Sequence, residues 1–392
     1  MSVRIIATAD VHLGMKFSGY GELAPDLAEA RFAALERVVS IGNERSCDLL
    51  VVAGDLFDRV TVASVVVERA AAILSHFDGA LVAVLPGNHD YLSPSGDRLW
   101  RSFADAAGDR TLLLDRAAAV PLGHYDLPVT VLAAPCDSLH CATNRIGFAL
   151  DADRSQWRDS AVIGVAHGSI DGITLDAEGL YFPMSPDLLR RAAADCWIIG
   201  HTHRFHDLRD ARTVVPGTPE PDGFDVRVPG GAAIIDVEAD GAGDGDPRVA
   251  GDPRVDGDPR VDGRRWTYSA QPVETGVHRF VDADVELDAA LDPRAQIDSI
   301  VPGPGAIVRV RVRGRLDEHA FRAWNRTREA LLADATVYRI DDDDVQQLLT
   351  PDQIDREYVA GSFAHSLLRR LVDADDHDAV TEAYRLMRES SS

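Results

Sequence analysis

Five short polar segments, each directly following an apolar run, carry side chains able to hold divalent cations. They are Asp10-Val11-His12, Gly54-Asp55-Leu56-Phe57-Asp58-Arg59, Gly87-Asn88-His89-Asp90, His167-Gly168 and Gly200-His201-Thr202-His203. Carboxylate, imidazole and amide oxygen donors together suit manganese, iron or zinc. Two cations about 3.5–4 Å apart need one shared ligand. A carboxylate has two oxygens for this purpose, and Asp55 is the natural bridge. One cation then takes Asp10, His12 and His203, and the other takes Asn88, His167 and His201. Water held between two such cations loses a proton near neutral pH and becomes a nucleophile. A lone Asp-x-His or a single His pair is more often a capped loop or a satisfied core histidine. Five such segments in order, each after a strand, form a joint signal for a two-cation centre. Five of the 13 histidines fall inside these segments. Of the others, His206 alone has some claim, because it lies three residues after His203.

The elements that must position these groups are legible around them. VRIIATAD, DLLVVAGD, ALVAVLPGNHD, PVTVLAAP, AVIGVAHG and CWIIGHTH read as buried strands, separated by helical stretches such as APDLAEARFAALERVVSIGNE and VASVVVERAAAILSHF. Continuous apolar strands alternating with helices imply a sheet covered on both faces. In such an α/β sheet, ligand sites gather beyond the carboxyl ends of the strands.

Beyond residue 244 the character of the chain changes. Residues 245–262 repeat the hexapeptide GDPRV(A/D) three times. Asp, Pro and Gly dominate it, so it reads as a disordered surface insertion. Residues 263–275 read as a strand returning to the catalytic domain of residues 1–244. Residues 276–345 form a small βαβ-like capping domain, in which AIVRVRVRGRL alternates as a half-exposed strand. The four aspartates at 341–344 read as a break. Residues 346–392 read as two short amphipathic helices, with an apolar stripe of Ile354, Tyr358, Val359, Phe363, Leu367, Leu368 and Leu371.

The chain has 392 residues, of which 45% are hydrophobic, enough for two cored domains. No apolar run is long enough to span a bilayer, and Asp10 interrupts any leader-like stretch, so a cytoplasmic protein is expected. The four cysteines contain no C-x-x-C pair, and reduced thiols are the expectation. The formal net charge is −24, and Lys16 is the only lysine. That charge argues against nucleic-acid binding by general electrostatic attraction.

The five segments resemble those of the calcineurin-like metallophosphoesterase superfamily. TADVHLG, GDLFD and PGNHD are similar to the SbcD-like branch, the nuclease subunit of a DNA-repair complex with an SMC-like ATPase. The resemblance implies a four-layer α/β/β/α sandwich with a small α+β capping domain. It implies two divalent cations, manganese by expectation, held by the seven residues named above. It makes His89 the catalytic histidine that protonates the leaving oxygen, and it implies that the Asp58 carboxylate holds that imidazole. It also makes Arg59 a phosphate contact, for which a surface ion pair is the plainer alternative. The expected function is phosphodiester hydrolysis in DNA. The expected partners are DNA, an SMC-like ATPase and a second copy of the chain, with no membrane. The competing reading is a small-molecule phosphodiesterase or phosphatase, which the acidic charge favours. A catalytically silent scaffold is disfavoured, because no ligand position is missing.

Overall fold

The computed structural model describes residues 1–92, 98–239, 265–300, 305–332 and 337–389. The hexapeptide repeat lies outside the described residues. The chain divides into two compact units, Met1–His278 and Arg279–Ser392. Residues 276–278 therefore stay with the first unit, and the expected capping region and the helices after it form a single second unit.

The first unit contains two six-stranded sheets. In one, β1 (Ser2–Thr8), β2 (Leu49–Ala53), β3 (Leu81–Leu85) and β4 (Thr111–Leu113) run parallel. Antiparallel β11 (Gly231–Ala239) and β12 (Trp266–Glu274) complete it, giving the order β12-β11-β1-β2-β3-β4. The other has the order β5-β6-β7-β8-β10-β9, built from β5 (Ala118–Pro121), β6 (Val129–Ala134), β7 (Ala161–His167), β8 (Cys196–Gly200), β9 (His206–Leu208) and β10 (Thr213–Val215). Every residue of β2, β3, β7 and β8 is buried. Side chains alternate between faces along each strand. Ile5, Val51 and Ala83 therefore meet Val131, Ile163 and Ile198 between the two sheets.

Their neighbours Ile6, Leu50 and Val82 point outward, against helices α1 (Ala24–Glu44), α2 (Ser64–Leu74) and α3 (Arg98–Ala107). The outer face of the second sheet offers Leu132, Val162 and Trp197 to the short helix α4 (Pro186–Arg191). The result is helix, sheet, sheet, helix: the expected four-layer α/β sandwich. Among the described residues no helix is long and apolar enough to cross a membrane, and all four cysteines are free.

The second unit is a parallel three-stranded sheet of β13 (Arg279–Glu286), β14 (Ala306–Leu316) and β15 (Val337–Gln347), with α5 (Pro293–Asp298) and α6 (Glu318–Leu332) as crossovers. Val308, Val310 and Val312 pack on Ile297 and Trp324. The four aspartates at 341–344 do not break the strand, contrary to expectation. In register, Asp341 lies opposite Arg311 and Asp344 opposite Arg313. Asp342 accepts from Trp324 Nε1 at 3.0 Å and from Arg328 Nε at 3.1 Å. Opposite charges across a strand pair offset the poor strand preference of aspartate.

The tail forms three helices rather than two: α7 (Pro351–Glu357), α8 (Phe363–Asp373) and α9 (His377–Glu389). Leu349, Ile354, Leu368 and Val380 make their own small core, on which Tyr358 and Leu371 pack. Val359 and Phe363, from the same expected stripe, are each 81% exposed.

Candidate metal centre

The five polar segments follow β1, β2, β3, β7 and β8 directly. To turn side chains toward one point, the backbone leaves the usual regions. Asp10 (φ 55°), His12 (φ 48°), Asp55 (φ 55°) and His201 (φ 92°) all have left-handed backbones. Each such non-glycine residue costs roughly 1–2 kcal/mol, and strain of this kind concentrates at functional sites.

Backbone bonds between loops hold the strained residues in place. Asp10 N donates to Gly54 O (3.1 Å), His12 N to Asp55 O (2.9 Å) and Asp58 N to Leu13 O (3.0 Å). The buried Asp90 carboxylate ties in the third loop, accepting from Phe57 N (2.9 Å) and Gly87 N (2.7 Å). Gly87 is required by close approach, because a Cβ there would lie 2.2 Å from Asp55 Oδ1.

The candidate ligands converge. His167 Nδ1 lies 2.9 Å from the Ala53 carbonyl, which fixes it as the protonated nitrogen and turns Nε2 inward. That Nε2 is 2.9 Å from Asn88 Oδ1, 3.3 Å from Asp55 Oδ2 and 3.9 Å from Asp10 Oδ1. His201 Nδ1 is 3.1 Å from the same Asn88 oxygen. His203 Nε2 lies 4.0 Å from Asp10 Oδ1, and His12 Nε2 lies 3.8 Å from Asp55 Oδ2. Donor atoms of Asp10, His12 and His203 fall within 4.8 Å of one another, as do those of Asp10, Asp55 and His167. His206 stands on β9, outside these groups.

His89 adjoins the cluster, with its donor atom within 4.8 Å of those of His12 and Asp55. Its backbone N–H donates to Asp55 Oδ1 at 2.8 Å. The expected contact from the Asp58 carboxylate is not what holds its ring. His89 Nδ1 lies 3.0 Å from the Asp58 backbone carbonyl, while the Asp58 carboxylate accepts from Arg59 Nε at 2.8 Å. The Asp58-Arg59 pair forms because adjacent opposite charges satisfy each other locally. Arg59 is therefore in an ion pair and half-exposed, and a phosphate contact would require it to leave that pair.

Sequence reasoning missed two groups beneath the site. Asp222 Oδ2 lies 3.4 Å from His203 Nδ1 and 3.6 Å from Arg31 Nη2. Glu220 is wholly buried and accepts from His278 N at 2.9 Å, with His278 Nδ1 at 3.0 Å. Both acids lie in the turn-like PGTPEPDG stretch, and a cluster of carboxylates in a segment with so little apolar content was the only available signal.

These residues fit divalent cations. Asp10 and Asp55 are carboxylates with at most 1% exposure, and their close charge partners are imidazoles. Buried charge of this kind is normally paired or coordinates a metal. Two buried polar atoms in the cluster, His12 Nδ1 and Asn88 Nδ2, have no hydrogen-bond partner among the described residues. Without cations, protons take the compensating role. Burial works against protonation of His167, but Asp55 and Asp10 outweigh it and raise its pKa to about 9. Burial likewise opposes protonation of His203, and Asp222 and Asp10 raise it to about 9. Asp55 is held well below its ordinary value: His167 and His12 overcome the burial that would raise it. Burial, then the neighbouring positive His167, lowers His201 to about 3. Burial and repulsion from Asp55 push Asp90 up to about 8 despite its two backbone bonds.

A pH dependence follows. His167 and His203 must lose their protons to bind metal, so manganese binding near pH 7.5 is expected to release about two protons. Apparent affinity should rise as pH climbs toward 9. The cation-free fold shows the opposite trend. The raised imidazole values stabilise it fully below about pH 6.5, and that contribution disappears as pH rises through 9. Calorimetry in buffers of different ionisation heat counts the protons, and zero release would contradict the assignment.

The family profile described as calcineurin-like phosphoesterase matches residues 3–205. An uncharacterized metallophosphoesterase YhaO of Bacillus subtilis is 23% identical over 215 residues, covering 51% of this chain and 48% of that protein. The DNA double-strand break repair protein Mre11 of Aeropyrum pernix is 25% identical over 250 residues, covering 60% of this chain and 58% of that protein. The chain thus spans about half the length of the curated relatives it matches. Among solved structures, TT1561 of Thermus thermophilus matches with TM-score 0.41 at 14% identity, covering 70% of this chain and 100% of its own. The calcineurin-like phosphoesterase YfkN from Bacillus subtilis matches with TM-score 0.41 at 13% identity, covering 70% and 91%.

Proposed function

The chain belongs to the calcineurin-like phosphoesterase family, and we infer that it cleaves phosphodiester bonds in DNA, with manganese as the working cation. Its general chemistry is metal-dependent phosphoester hydrolysis. In our assignment Asp10, His12 and His203 hold one cation, Asn88, His167 and His201 the other, and Asp55 is shared. Bound cations supply Lewis-acid polarisation of the phosphoryl group and lower the pKa of water.

The chain's own residues do the rest. His89 keeps a proton on Nδ1, donated to the Asp58 carbonyl at 3.0 Å, so Nε2 is the nitrogen free to exchange a proton with substrate. In our reading the proton for the leaving oxygen comes from this Nε2, a general-acid role that a positioned histidine commonly fills. The Asp55 bond to the His89 backbone N–H sets the distance between this acid and the cluster.

The observation that carries the DNA reading is the extent of likeness to the Mre11 protein. That alignment covers 60% of this chain at 25% identity, beside 51% at 23% for YhaO. The test is a manganese-dependent assay offering linear duplex DNA, circular single-stranded DNA and bis-p-nitrophenyl phosphate side by side. Degradation of DNA together with slow hydrolysis of the small diester is expected. Hydrolysis of the small diester alone would favour a small-molecule phosphodiesterase, the reading that the net charge of −24 supports.

An SMC-like ATPase remains our proposed partner, docking on the tail, with DNA as substrate. The exposed Val359 and Phe363 lie at the α7–α8 turn, while Ile354, Tyr358, Leu368 and Leu371 pack into the small core with Leu349 and Val380. Phe363→Asp is expected to leave melting temperature and small-diester hydrolysis unchanged, as surface changes usually do. It should sharply reduce copurification with the ATPase of the same cell. Undiminished copurification would remove this turn from the interface.

A further inference from the structure

We propose that Asp222 positions His203 as a cation ligand, and that Arg31 positions Asp222. This inference rests on the two-cation reading of the site and extends it to residues that no motif contains.

His203 presents its two ring nitrogens to different partners. Nε2 faces Asp10 Oδ1 at 4.0 Å, on the side where the candidate ligands gather. Nδ1 faces Asp222 Oδ2 at 3.4 Å on the other side. An imidazole that gives its Nδ1 proton to a carboxylate keeps the Nε2 lone pair for a metal, and it becomes a more basic ligand. The other candidate histidines are held differently. His167 uses the Ala53 carbonyl, and His12 Nδ1 has no hydrogen-bond partner among the described residues. His203 alone has a carboxylate on its outward nitrogen among the contacts of the described residues.

Arg31 holds Asp222 in place. Its side chain is wholly buried in α1, where an unpaired guanidinium is costly. Nη1 donates to the Val11 carbonyl at 2.7 Å, between Asp10 and His12. Among the described residues Nε and Nη2 have no hydrogen-bond partner, and the Asp222 carboxylate lies 3.6 Å from Nη2. The Phe17 ring lies 5.4 Å from the guanidinium and closes one side. One arginine therefore links the backbone of the first ligand loop to the carboxylate behind the last ligand. The relative placement of Asp10, His12 and His203 depends on it.

The test is manganese binding to the full chain, followed by calorimetry and electron paramagnetic resonance. Wild type, Asp222→Asn, Asp222→Ala and Asp222→Glu are compared. Asp222→Asn keeps the shape and an acceptor oxygen while removing the charge, and Asp222→Ala removes both. Loss of an outer partner typically weakens metal binding 10–100-fold. We expect one of two cations to weaken by about that factor in Asp222→Asn, the other to be unchanged, and Asp222→Glu to recover part of the loss. Two cations bound by Asp222→Asn with wild-type affinity would overturn the proposal. Equal weakening of both cations together with a lower melting temperature would also overturn it, in favour of a purely structural pair. A wild-type protein that binds no manganese would instead refute the underlying metal reading.

Discussion

Asp55→Asn is expected to empty the centre of at least one cation and to abolish measurable hydrolysis. Asp55 is 1% exposed and within 3.8 Å of both His12 and His167. In our assignment it is the one ligand shared by both cations, so an amide in its place removes bridging charge from each. The loss should exceed the 10–100-fold typical of an outer partner. Even without metal, the variant should show a lower His167 pKa, because the Asp55 charge is the main influence raising it. Metal content after dialysis, read beside hydrolysis of bis-p-nitrophenyl phosphate, decides the matter. Full cation content in Asp55→Asn would remove it from the bridge.

His89→Ala should behave differently, keeping both cations while cleavage slows by roughly 10²–10⁴-fold, the range for losing a general acid. The structure makes this a sharp test, because the His89 donor atom lies close enough to those of His12 and Asp55 to be a ligand itself. Loss of a cation in His89→Ala would reassign it as one. The position of Asp58 adds a corollary. Since its carbonyl holds the His89 ring and its carboxylate pairs with Arg59, Asp58→Ala should slow cleavage less than tenfold, far less than His89→Ala. A loss comparable to that of His89→Ala would show that the carboxylate acts on the imidazole after all.

The left-handed backbones of Asp10, His12, Asp55 and His201 show where the fold places its strain. None of these residues has the glycine freedom that such conformations favour. They persist because the apolar strands behind them are rigid and the loops are tied to one another by backbone bonds. This is the arrangement expected where side chains must meet at one point before any ligand arrives.

Which residues can gather is readable locally, because each ligand segment follows a short strand with its own apolar run. VRIIAT, LLVVA and CWIIG announce themselves as buried strands, and the polar residue at each end must then lie at one edge of a sheet. What stands behind those ligands depends on contacts between distant segments. Asp222 is 19 residues beyond His203, and Arg31 is 191 residues before Asp222. No periodicity links them, and only folding brings their charges within 4 Å. Asp58 shows the same limit at short range: its residue type suggested a carboxylate contact, but Arg59 claimed the side chain and left the carbonyl to hold His89. The strand through 341–344 was likewise invisible, because aspartate disfavours a strand unless a row of arginines lies across from it. Local pattern reads what one segment can form, whereas the pairing of buried charges depends on which distant segment arrives opposite.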